Sequence, residues 1–299
     1  ILGGQTQENL IAGARITENE LKKNPNDFNL WKETKVGKRW SSPWGEGRPG
    51  WHTECVVMAN SFLGNKIDIH GGGVDLKFPH HDNEIAQSKV AYGHHLANYW
   101  MHNGRIDMQE EKMSKSLGNI IWAHELVEQI GYGSYRLMML NVPYRQPLNY
   151  KEGLEKQSAI DYDKIKRAYV SLYRKLQLDY QKIDYQVELK SPELLKLNQE
   201  FIDALSDDFN TANAITMIFK LVKTINNLNR KQKVDVFTIK ESLTLLSNFL
   251  WVLGIDFPVN PLTAEELELV KRWNQARQDK DFALADSLRE EVYRRGIII

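Results

Sequence analysis

Cysteine is almost missing from this chain: Cys55 stands alone among 299 residues. One thiol excludes an internal disulfide framework and predicts a reducing, cytoplasmic setting. An excess of either charge is missing too, since 39 basic and 39 acidic side chains leave a formal net charge of zero. Indiscriminate electrostatic adhesion to nucleic acid is therefore not expected, and any such partner is read by shape and local contacts. Long apolar runs are also scarce. The most apolar stretch, Ser247 to Phe257, is broken by Gly254 and Asp256, so no bilayer-spanning segment is expected. The opening Ile1-Leu2-Gly3-Gly4-Gln5 lacks an initiator methionine and a charged-then-apolar leader, which predicts a processed chain or an expressed fragment.

What is present is a soluble, globular composition, 42% hydrophobic and 26% charged, enough to bury a sizeable core in two or three domains. Residues 1 to 50 are polar and loop-rich. Turn signals stand at Asn24-Pro25-Asn26-Asp27 and Ser42-Pro43-Trp44-Gly45, with a short strand predicted over Phe28 to Lys32. Trp51 to Leu63 reads as a helix ended by Gly64-Asn65, and Lys66 to His70 as a short buried strand running into Gly71-Gly72-Gly73. Pro79 is expected to open the next helix, and Tyr99 to Met108 to form a strand pair around an Asn103-Gly104 turn. Helix, strand, glycine turn, helix and strand together make the grammar of an α/β nucleotide-binding sheet.

Three groups of residues carry chemistry. A helix opened by Pro79 places His80 and Glu84 on one face, four residues apart, as a pair of metal ligands. Cys55 fits as a third, and a thiolate with an imidazole and a carboxylate favours zinc over magnesium or calcium. A small buried thiol beside an ordinary polar helix fits the same residues. The glycine triplet has no packing use of its own in this reading. Bare backbone at a strand end lets a nucleotide approach, with Asp75 accepting from ribose hydroxyls, although a flexible turn has the same composition. Lys112-Met113-Ser114-Lys115-Ser116 lies ahead of a helical stretch beginning near Trp122. Two lysines on such a loop can neutralise charge on a leaving pyrophosphate, and a solvated basic loop is the alternative.

Gly47-Arg48-Pro49-Gly50-Trp51-His52-Thr53-Glu54-Cys55, His70 through Ser88 and Lys112 through Asn119 together resemble the cysteinyl-tRNA synthetase family of class I aminoacyl-tRNA synthetases, in order and spacing. Asn24 to Phe28 with Leu30-Trp31-Lys32 is similar to the family's connective segment, and Ser206 to Thr211 to its helical tRNA-contacting domain. The resemblance implies an α/β plus all-α fold: a partial Rossmann-type class I synthetase catalytic domain followed by a helical bundle. It divides the chain into a connective remnant (1–47), the carboxyl-terminal half of the catalytic domain (48–120), linking helices (121–170), a tRNA-binding bundle (171–258) and a truncated anticodon-proximal module (259–299).

The resemblance also implies roles. Cys55, His80 and Glu84 match three ligands of a single zinc per chain, whose fourth ligand is a cysteine upstream of these residues. Trp51 matches the aromatic wall of the cysteine pocket, and His70 an active-site histidine. Gly72 and Asp75 fall on the adenosine side of the ATP site. Lys115 matches the principal ATP-contacting lysine, with Lys112 beside it on the catalytic loop. The family's HIGH-type phosphate motif is not present in the sequence, so the chain is expected to be a fragment inactive alone. Implied substrates are L-cysteine, ATP with Mg2+, and tRNA(Cys), handled by a monomer. Two further readings share part of this pattern: a mycothiol-pathway ligase joining cysteine to an amino-sugar, and a non-catalytic tRNA-binding paralogue.

From Glu155 to Gly254, leucine, isoleucine and tyrosine recur at helical spacing without a proline between Pro192 and Pro258, which predicts several packed helices. Asp208-Phe209-Asn210-Thr211 reads as a helix start. Lys220, Lys223, Arg230, Lys231 and Lys233 form a basic face open to phosphate contact or to solvent. Ala276 to Phe282 and Ala285 to Arg289 resemble the family's small anticodon-proximal helices.

Overall fold

A computed structural model describes residues 22–24, 27–108, 111–113 and 118–297. They fall into two units, one up to Arg105 together with Arg145–Pro147, the other comprising 106–144 and the residues from Leu148 on.

In the first unit, strand β1 (Trp31–Glu33) pairs antiparallel with β2 (Gly47–Pro49), bringing Trp31 opposite Pro49. Helix α1 (Trp51–Leu63) follows directly with the expected bounds, and the chain leaves it at Gly64. Strand β3 (Ile67–Gly73) then runs parallel to β4 (Ala97–Asn103), with α2 (Asp82–Tyr92) in the connection. Parallel strands need such a crossover, and this β-α-β unit is the nucleotide-fold grammar expected from the sequence.

Three local expectations are corrected here. The glycine triplet is part of β3 rather than a turn beyond it, and the strand is not buried: Ile69 is 59% exposed, because among the described residues the sheet has two strands only. Asn103-Gly104 is not a hairpin turn, since β4 and β5 (Ile106–Met108) belong to different sheets. Gly104 instead passes against another stretch of backbone, where a Cβ would lie 2.1 Å from the Gln146 carbonyl oxygen. Pro79 does not open the helix. Lys77–His81 form a wide π-type turn containing an extended Phe78, and α2 begins at Asp82.

The second unit opens with β5 between β6 (Glu111–Lys112), antiparallel, and β7 (Leu148–Tyr150), parallel. Helices α3 (Ala123–Ile130) and α4 (Tyr132–Leu140) lead to α5 (Leu154–Tyr180), α6 (Pro192–Ser206), α7 (Thr211–Asn229) and α8 (Val236–Leu253). The apolar stripes of α5 to α8 meet in one core that includes Leu172, Ile218, Leu221, Ile225 and Leu246, with Phe201 stacked on Phe249 at 4.0 Å. Asn210 caps α7 by accepting from the Asn213 amide at 3.1 Å, as its position predicts. The Thr211 hydroxyl has a different use, donating to the Leu140 carbonyl at 2.6 Å. Lys220, from the basic face, is paired with Glu200 at 2.9 Å.

The expectation that no stretch is apolar enough to span a bilayer needs correcting for α8, which has a mean hydropathy of 1.3 over 18 residues. Its Leu243, Leu245, Leu246 and Phe249 are buried among the neighbouring helices, so the apolarity serves the bundle core. Helices α9 (Ala264–Gln278) and α10 (Phe282–Arg294) close a second, smaller core around Leu269, Val270, Leu288 and Val292. The buried Arg174 guanidinium holds the lead-in to α9, donating to the Asn260 carbonyl at 2.8 Å and to Gln177 at 2.7 Å.

Candidate metal centre

The centre lies in the first unit, where α1, β3, the π-type turn and α2 converge. Trp51 and Cys55 stand one helical turn apart on α1 and so share a face. The turn and the first residues of α2 carry His80, His81 and Glu84, and β3 carries His70. Although the proline helix is absent, the π-type turn still brings His80 Nε2 to 3.0 Å from Glu84 Oε1. Cys55 Sγ lies 3.7 Å from His80 Nε2, and the Trp51 ring sits 4.4 Å from the His80 ring.

Glu84 is fully buried, at 0% exposure. His70 Nε2 reaches its other oxygen, Oε2, at 3.0 Å. Both approaches have ion-pair distance without hydrogen-bond geometry, and among the described residues neither carboxylate oxygen has a hydrogen-bond partner. A buried carboxylate in that state is costly unless something else satisfies it. A cation does so. Ligand atoms about 2.0 to 2.3 Å from a tetrahedral zinc stand roughly 3.3 to 3.6 Å from one another. The His80–Glu84 and Cys55–His80 separations, 3.0 and 3.7 Å, bracket that spacing, and the three ligand atoms all fall within 4.8 Å of one another, a donor set whose chemistry suits zinc.

Electrostatics follow from the same burial. Desolvation, then the Glu84 carboxylate, push the Cys55 thiol up to about 11; a nearby cation reverses that preference and holds the thiolate. Burial alone would raise the Glu84 carboxyl, but His70, His80 and His81 outweigh it and hold it below the usual range. Burial pushes His81 down to about 4, so its ring is neutral at physiological pH.

The other expected residues are placed as follows. The Gly72 backbone faces the His81 ring: a Cβ there would lie 2.9 Å from His81 Cε1 and 3.1 Å from Leu76 Cδ1. The glycine therefore does have a packing use, admitting an imidazole. Asp75 stands in a 3-10 turn, Val74–Leu76, its carboxylate folded back over Gly73. Trp51 is 60% exposed. Lys112 belongs to the second unit, on β6, where its backbone pairs with Asp107, and Lys115 lies outside the described residues. Cys55, His70, His80 and Glu84 are thus brought together, with Trp51 and Gly72 beside them.

Sequence reasoning missed His52, His81, Trp100 and His102. His52 is buried edge-on against Phe28 at 4.6 Å. The His81 ring packs against His70 at 5.0 Å and Trp100 at 5.1 Å. Its Nδ1 lies 2.7 Å from His102 Nε2. Period-two alternation along β4 is the signal that puts Trp100 and His102 on one face, and the parallel register sets His102 beside Gly72.

Comparison with known proteins extends the picture. Residues 1–160 match the family described as tRNA synthetases class I (C) catalytic domain, and residues 200–258 match the DALR domain. Cysteine--tRNA ligases from Geobacillus thermodenitrificans and Brevibacillus brevis are each 43% identical to this chain, and one from Anoxybacillus flavithermus is 42% identical. All of this chain is covered in each comparison, and it spans 64% of the length of each relative. Among solved structures, the Agrobacterium radiobacter K84 agnB2 LeuRS in a ternary complex with tRNA and LeuAMS superposes with a TM-score of 0.54 at 15% identity. That superposition covers 77% of this chain and 35% of the other, a likeness of fold alone.

Proposed function

Because the chain belongs to the class I (C) tRNA synthetase family, we propose that these residues serve a cysteine--tRNA ligase, in which ATP activates L-cysteine and the cysteinyl group passes to tRNA(Cys). The observation that carries the reading is the convergence of Cys55 and His80 on the buried Glu84 carboxylate, which has no hydrogen-bond partner among the described residues. These three side chains would hold zinc. When bound, the ion supplies a soft site that prefers a thiolate to a hydroxyl, which a merely apolar pocket separates by only about 10 to 200-fold.

The protein's own groups do the rest. Trp51, beside His80, walls the amino-acid pocket, and His70 lines it from β3. Gly72 and Asp75 lie on the adenosine side. Lys112 and Lys115 neutralise charge on the departing pyrophosphate, so activation is chiefly positioning and charge stabilisation. The helical region over 171–258 binds tRNA, a reading supported by the DALR match over residues 200–258, and α9 and α10 lie toward the anticodon. The protein acts in the cytoplasm as a monomer. The DALR match also supports tRNA over an amino-sugar as acceptor.

The test is to supply the protein that carries these residues with ATP and labelled cysteine or serine, and to offer tRNA(Cys) or an amino-sugar. Cysteine-specific charging of tRNA is expected. Transfer to the amino-sugar, or the absence of any cysteine-dependent pyrophosphate exchange, overturns the reading.

A further inference from the structure

Glu84 offers two carboxylate oxygens, and the zinc triad uses one of them. Oε1 faces His80, while Oε2 faces His70. Behind His70 stands His81, so that His70, His81 and Glu84 form a second triad whose ligand atoms also lie within 4.8 Å of one another. Its carboxylate is fully buried, Oε2 has no hydrogen-bond partner among the described residues, and His81 is 2% exposed. The geometry points to a second divalent-cation site, His70–His81–Glu84, with Glu84 bridging it to the cation held by Cys55 and His80.

Two imidazoles and a carboxylate form a borderline donor set that suits Zn2+ or Co2+ and discriminates against Mg2+ and Ca2+. A carboxylate that presents its two oxygens to different ligand sets is the usual bridge where two metals stand about 3.5 to 4 Å apart. His81 already has the support that metal-bound imidazoles require, since His102 contacts one of its ring nitrogens at 2.7 Å. The second site has no thiolate and is the weaker of the two. Because it engages His70, loading it competes with any contact between that residue and substrate, and excess metal is then an inhibitor. The inference rests on reading Cys55, His80 and Glu84 as the first site, and its test separates the two.

The metal-stripped 299-residue chain is dialysed against graded Co2+. Bound metal is counted by elemental analysis, and the thiolate-to-cobalt absorption band is followed in parallel. Two equivalents are expected, the weaker lowered at least tenfold in affinity by His81→Asn and by His70→Asn, with the absorption band retained in both. His70 is more exposed than His81, so His70→Asn gives a reading if His81→Asn fails to fold. In Cys55→Ser the band disappears and one equivalent remains. A single equivalent that is lost in Cys55→Ser overturns the second site and leaves the first standing. A second equivalent that survives both histidine substitutions also overturns it, as does the absence of any bound metal.

Discussion

His81 Nδ1 lies 2.7 Å from His102 Nε2, joining the turn ahead of α2 to strand β4 through two buried rings. Only one of the two nitrogens in that contact carries a proton, so the pair fixes both ring orientations together. His102→Asn is expected to free His81 and weaken the second Co2+ equivalent about tenfold while leaving the thiolate-bound one unchanged. Loss of the thiolate band instead would show that His102 acts on the whole fold of the unit.

Cys55→Ser tests selectivity. With the thiolate gone, preference for cysteine over serine should fall to the range of about 10 to 200-fold open to a pocket without a soft ligand. Charging rates with each amino acid give the ratio directly, and an unchanged ratio removes Cys55 from the specificity mechanism.

Gly72→Ala tests the close approach. The added methyl group meets His81 Cε1 at 2.9 Å and Leu76 Cδ1 at 3.1 Å, so the imidazole or the strand must shift. Overpacking of this kind costs about 1 to 3 kcal/mol. Urea unfolding should report that loss together with weaker metal binding, and a neutral variant would mean the ring moves freely.

Helix α9 carries a pH prediction. Thr263 donates its backbone amide to Glu266 Oε2 at 2.8 Å, and its hydroxyl accepts from the Glu266 amide at 3.3 Å. These bonds hold the Glu266 carboxyl below the usual carboxylate value. A lowered folded-state pKa contributes stability above the unfolded value, about 4.3, and that contribution disappears as pH falls through the folded one. Glu266→Gln should therefore melt below the parent chain at pH 7, with the gap closing toward pH 3. Thr263→Ala should cost about 1 kcal/mol at neutral pH.

The bundle core gives the largest expected loss of stability. Phe249 is 1% exposed and stacked on Phe201, so Phe249→Ala should cost about 3 to 5 kcal/mol. Calorimetry should show the effect on the transition that includes α5 to α8, and a change under 1 kcal/mol would mean that the site collapses to refill the void.

Much of this architecture was legible in the residues. Helix α1 has its expected bounds because Gly50 and Gly64 punctuate it, and the parallel crossover follows from the spacing of apolar runs around α2. The reach of Glu84 to His80 was legible from their four-residue separation, although a π-type turn rather than a proline-led helix produces it. What stayed hidden depends on contacts distant in sequence. Nothing local marks Gly72 as the partner of the His81 ring, or Gly104 as a neighbour of Gln146. His102 entered the centre only through strand register, which no single segment specifies.

The single carboxylate of Glu84 answers to His70 on one side and His80 on the other. A change at any one of these positions alters what the other two must satisfy, so their substitutions should be strongly epistatic and their double-mutant cycles far from additive.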